Sequence, residues 1–127
     1  VPAYSHVYHK EGAPIALTIT LSVRNTDPEN SIVLSQVDYF NSEGSLVKRY
    51  LPQPIEIGPF ATNEFLVPQS DNEGGSGANF LLRWGSETPV SPPVIETVMI
   101  NTEGSQGVSF ARSGIVLERS SPESPLE

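Results

Sequence analysis

The segment SDNEGGSGANFLLRW, residues 70–84, sets Gly74, Gly75 and Gly77 directly ahead of an apolar run that ends in tryptophan. A phosphate-binding loop would need the spacing G-x-x-x-x-G-K-[ST] between a strand and a helix, because the lysine and the helix N-terminus offset the phosphate charge. No lysine follows these glycines, and Asp71 and Glu73 would repel an anion. Ser76 lies between glycines, yet Ala78 stands where a nucleophile elbow requires the second flanking glycine, so acyl-transfer chemistry is not indicated. The plain reading is a mobile connection whose glycines allow the backbone to turn tightly.

Two other residue groups could do chemistry. His6 and His9 are the only histidines, and their odd spacing on a strand puts the rings on opposite faces. No cysteine is present to complete a ligand shell, so neither a zinc nor a copper site is expected. The 15 acidic residues could supply a carboxylate pair for hydrolysis, although most acids in such a chain are solvated surface. If successive strands alternate in direction, loops 25–31, 51–54, 68–77 and 101–107 share one end of the domain. That end would gather Asp27, Glu29, Asp71, Glu73 and Glu103. Hard cations such as calcium take oxygen ligands of this kind. No calcium-loop spacing is present, so a solvated acidic rim is the default; no cofactor is expected, and calcium is the one candidate.

The elements that must position these residues are strands. Ile15, Leu17, Ile19, Leu21 and Val23 alternate with small or polar residues, the period-two mark of a half-buried strand. In IVLSQVDYF the apolar phase changes between Leu34 and Val37, which calls for a bulge or for burial on both faces. NSEG at 41–44 then supplies the turn of a hairpin into SLVKRY. Pro52, Pro54 and Pro59 punctuate short strands near 55–57 and 62–67. Ala78, Phe80, Leu82 and Trp84 share one parity, so the glycine segment feeds a strand, with Phe80, Leu82 and Trp84 expected in the core. Tyr4, Tyr8, Tyr39 and Tyr50 form an exposed aromatic strip only if the fold brings them together. Further strands are expected at 94–100 and at 107–118, the latter interrupted near Ser113 and Gly114.

Eight or nine short strands without helical periodicity predict an all-β domain, an antiparallel immunoglobulin-like β-sandwich, with a small antiparallel barrel as the alternative. The domain is expected over residues 1–119, followed by a disordered Ser/Pro-rich tail at 120–127. With 10 glycines and 12 prolines, the composition favours many turns. The net charge is −8 and the seven cations are scattered, which argues against a nucleic-acid surface. No apolar run is long enough to span a bilayer. The chain opens at Val1 without an initiating methionine, consistent with a cleaved export signal.

Taken together, VPAYSHVYH, LTITLSVRNTDPENSIVLSQVDYFNSEGSLVKRYL, GGSGANFLLRW and QGVSFARSG resemble an uncharacterised bacterial family known as domain of unknown function 3124. The middle of the chain also resembles extracytoplasmic immunoglobulin-like modules. The resemblance implies an exported bacterial protein, in the periplasm or anchored as a lipoprotein by a segment upstream, and assigns no residue a role. The expected function is a non-catalytic binding or accessory module of the cell envelope, with another envelope protein as partner. The alternatives are a self-assembling structural subunit and a small carboxylate-dependent hydrolase or lyase.

Overall fold

The computed structural model describes residues 1–9, 12–102 and 107–119. The described part is all-β, with ten strands: β1 His6–His9, β2 Ala13–Ala16, β3 Thr18–Arg24, β4 Ile32–Phe40, β5 Leu46–Arg49, β6 Ile55–Ile57, β7 Thr62–Val67, β8 Asn79–Gly85, β9 Val94–Asn101 and β10 Val108–Ser113. One sheet runs β10-β9-β3-β7; in the other, β4 has β8 along one edge and β5 and β6 along the opposite edge. β1 and β2 form a separate ribbon. All pairs are antiparallel and neither sheet closes into a barrel. β3·β7 and β4·β8 match the B·E and C·F pairs of an immunoglobulin sandwich, but β9 crosses to join β3 instead of pairing with β8.

The core follows from the alternation. Ile19, Leu21 and Val23 of β3 are buried, as are Val67 of β7 and Met99 of β9. Against them the second sheet places Ile32, Leu34, Val37 and Tyr39 of β4, Ile57 of β6 and Phe80 of β8, all in one cluster. The phase change in β4 is a bulge: its register on β8 shifts between Leu34 and Gln36, leaving Ser35 extra and exposed, with its hydroxyl donating to the Arg83 carbonyl at 3.2 Å. The 41–45 hairpin is as read. Gly44 takes φ 86°, and the Asn41 carboxamide accepts from the amides of Glu43 and Ser45 at 3.1 and 2.9 Å.

The strand count exceeds the expected one because the long alternating run divides. Leu17 donates its amide to Ser5 at 2.9 Å, separating β2, which pairs with β1, from β3, which pairs with β7 and β9. A larger departure concerns direction. β5 and β6 both run antiparallel to β4 along the same edge, so residues 50–54 join them without reversing the chain. Every later loop is therefore displaced to the end opposite to that expected from simple alternation. Loops 25–31, 58–61 and 86–93 gather where β3 finishes, and loops 41–45 and 68–78 gather where β3 begins.

Phe80 is a core residue as expected, whereas Leu82 and Trp84 are only partly buried at its margin. The glycine segment is docked rather than free. The Gly75 amide donates to the Ser5 hydroxyl at 2.7 Å, the Gly77 amide to the Ser42 hydroxyl at 2.8 Å, and Gly74 accepts from the Ser42 amide at 2.9 Å. Gly75 has φ 95°, and a Cβ on Gly74 would overlap the Tyr39 hydroxyl. That hydroxyl donates to the Ala3 carbonyl at 3.2 Å; burial, with Asp71 and Tyr50 nearby, pushes its pKa far above the ordinary value of 10.0. Residues 1–5 lie against β8 and this segment. Phe80 and Ala3 donate backbone bonds of 2.8 and 2.9 Å to Val1 and Ala78, and the Thr97 hydroxyl donates to Pro2 at 2.6 Å.

Two predictions follow from the packing. Phe80→Ala should cost about 3–5 kcal/mol by opening a core cavity, and Trp84→Ala only about 1–2 kcal/mol, because its side chain is already part-solvated. Equal losses in urea unfolding would contradict this placement. Gly74→Ala should cost about 1–3 kcal/mol by forcing the loop off Tyr39. The urea midpoint should fall with an unchanged slope, and a neutral effect would show that the loop does not pack there.

Candidate functional site

The end where β3 finishes is built on one buried amide. Asn25 has no exposed surface. Its Nδ2 donates to the carbonyls of Asn30, Ile57 and Gly58 at 2.8, 3.2 and 3.0 Å, and its Oδ1 accepts from the Asp27 amide at 2.9 Å. Two loops are thereby locked together. Asp27 Oδ1 accepts from the Glu29 and Asn30 amides, both at 2.8 Å. Those bonds hold the carboxyl below its ordinary value of 3.8, the Glu29 amide contributing most. Thr26 donates its hydroxyl to the Pro92 carbonyl at 3.2 Å, which ties in the third loop.

On this frame stands Phe60. Its amide donates to the Asp27 carbonyl at 3.1 Å, and Ala61, the next residue, accepts from the Asn25 amide and donates to the Gly58 carbonyl. The residue is held at φ 57° and is 67% exposed. A bulky side chain in the left-handed region costs of order 1–2 kcal/mol. A solvent-facing ring recovers little of that through packing. At the same end, on the outer face of the second sheet, a cleft of about 390 Å³ lies between loops 25–31 and 86–93. Val33, Ser86 and the carboxylates of Glu29, Glu56 and Glu87 line it. A general-acid carboxyl is usually set apart from its partner by burial. These three glutamates are all exposed.

The residues singled out from sequence do not meet here as a set. Asp27 and Glu29 lie at this end, but Asp71 and Glu73 lie at the other, because β5 and β6 run in one direction. Glu103 lies outside the described residues, as do 120–127. The expected five-acid rim is thus divided, and no group of three or more His, Asp or Glu fit to hold a metal ion occurs among the described residues. His6 faces Tyr8, with Nε2 and the hydroxyl 3.0 Å apart and the rings edge-on at 5.1 Å, while His9 falls on the other parity of β1. Ser76 is exposed in the glycine segment, and Ser5, next to His6, is buried under the Gly75 amide.

The tyrosines do not make a strip. Tyr39 is buried on Phe80, Tyr50 bridges Phe80 and Phe65, Tyr4 pairs with Phe110 and Tyr8 with His6. Sequence reasoning passed over Phe60; the signal available was the Gly58-Pro59 turn immediately before it.

Phe60→Gly should raise stability by about 0.5–1 kcal/mol, since it relieves the backbone cost and opens no cavity. A lowered urea midpoint would show instead that the ring packs.

The model of the family described as "Protein of unknown function (DUF3124)" matches residues 1–117, and the chain belongs to that family. No curated protein matches the chain. No solved structure matches it either.

Proposed function

We propose that this member of the DUF3124 family is a non-catalytic binding or accessory module of the bacterial cell envelope, and that it meets another envelope protein with the loop end carrying Phe60. One observation carries the binding part of the reading. An aromatic ring stands in solvent on a backbone conformation that costs stability, over a frame of hydrogen bonds that keeps it there. Strain of this kind persists at contact sites, where the geometry is needed for recognition and not for folding. Large aromatics are the usual anchors of protein interfaces. The loops of a sandwich end are also where such domains commonly place their recognition residues. The envelope assignment rests on the resemblance to extracytoplasmic modules, which points to the periplasm or to a lipid anchor upstream. No helix of the described residues is long and apolar enough to cross a membrane.

The test is affinity capture from solubilised envelopes with the wild-type protein and with Phe60→Gly. The wild type should retain one partner in near-stoichiometric amount, and the variant at least about tenfold less, the loss expected of an anchor residue. Equal capture by a variant that is as stable as the wild type or more so would remove Phe60 from the interface. Recovery of the native protein from the cytosolic fraction would reject the envelope part independently.

A further inference from the structure

The chain beyond β10 has a feature that the Phe60 surface does not use. Gly114 continues the pairing on β9, its amide donating to the Ile95 carbonyl at 2.9 Å. The next three residues then stand in solvent, with Ile115 80%, Val116 57% and Leu117 74% exposed. Among the described residues no backbone hydrogen bond is formed from Ile115 to Leu117. β10 is also the last strand of its sheet, so among the described residues no strand pairs along its outer edge. It contains no proline or lysine, and Arg112 is its one charge, so the edge has little of the protection that strand edges usually carry.

The segment Arg112-Ser-Gly-Ile-Val-Leu-Glu118 has a symmetry of its own. Lay it antiparallel on a copy of itself, centred on Ile115. Ile115 then faces Ile115, Ser113 faces Leu117, Gly114 faces Val116, and Arg112 faces Glu118 at both ends. The contact would contain two opposite-charge cross-strand pairs, one on each side of Ile115. A parallel arrangement would set arginine against arginine and glutamate against glutamate, which is unfavourable. An antiparallel two-fold contact uses the same patch on both copies, as the commonest dimers do. The segment is locally basic, with Arg112 and Arg119 against Glu118, in a chain of net charge −8. The segment therefore carries none of the net negative charge that opposes close approach of two copies elsewhere on the surface. In the monomer Glu118 has only a long contact to Arg83, 3.9 Å between two exposed side chains, which is readily exchanged.

We infer that residues 112–118 form a self-association segment, through which two copies of this chain pair antiparallel about Ile115. The contact is short, so the dimer is weak, with half-dissociation at about 0.1–1 mM.

Sedimentation velocity from about 10 μM to about 1 mM tests this range. Arg112→Glu and Glu118→Arg should each raise the dissociation constant about tenfold, since each turns both cross-strand pairs from attractive to repulsive. Mixing the two single variants should restore association as a heterodimer, and the double swap Arg112→Glu/Glu118→Arg should restore the homodimer. Restoration separates pairing from any loss caused by removing Arg112 from the Phe110 ring, over which it lies at 5.4 Å. A protein that stays monomeric to about 1 mM overturns the inference, as does a dimer indifferent to both single changes.

Discussion

A strand can present only alternate residues to one face, and β4 has to present Ile32, Leu34, Val37 and Tyr39 to the same core. The odd step between Leu34 and Val37 makes that impossible in a regular ladder. The extra residue at Ser35 resolves it, and the rest of the second sheet depends on that solution. Above the bulge, Leu34 meets Trp84 at the margin of the core; below it, Tyr39 meets Phe80 within the core, with ring centres 4.8 Å apart. The opposite edge of β4 is served by two short strands instead of one. Tyr50 stands between them, donating its amide to the Val37 carbonyl at 2.8 Å and sending its ring against Phe65 and Phe80.

Tyr39 carries this arrangement into the loops. Its ring fills the floor of the second sheet and its hydroxyl reaches Ala3. The backbone above it can close only where Gly74 has no side chain. Ser5 and Ser42 then bind the glycine segment from two sides. Of the three glycines, Gly74 is thereby occupied with covering Tyr39, and Gly75 and Gly77 with meeting Ser42.

Much of the architecture was legible because it is local. The period-two runs of β3 and β8, the Asn41 turn and the phase change in β4 are each contained within a dozen residues, where side-chain alternation and turn chemistry decide. What could not be read depends on partners far along the chain. β5 and β6 share an edge because both pair with β4, and nothing within residues 46–57 states that the prolines between them fail to turn the chain back. That single fact sends Asp27 and Glu29 to one end and Asp71 to the other. The conformation of Phe60 is similarly remote in origin: it is imposed by Asp27 and by the Asn25 amide, which grips Ile57 and Gly58 more than thirty residues later in sequence. Trp84 packs at the margin of the core rather than within it, since parity assigns a face but not a depth.

Asn25 also limits what that end of the domain can accept. Its nitrogen is surrounded by three carbonyl oxygens, and only a donor can occupy that position. Asn25→Asp would exchange the donor for a carboxylate oxygen, buried and facing lone pairs on every side. The substitution adds no bulk, so sterics would give no warning of it. One atom's change of chemical character would nonetheless loosen two loops together, so that a single side-chain amide fixes the geometry of that whole end of the molecule.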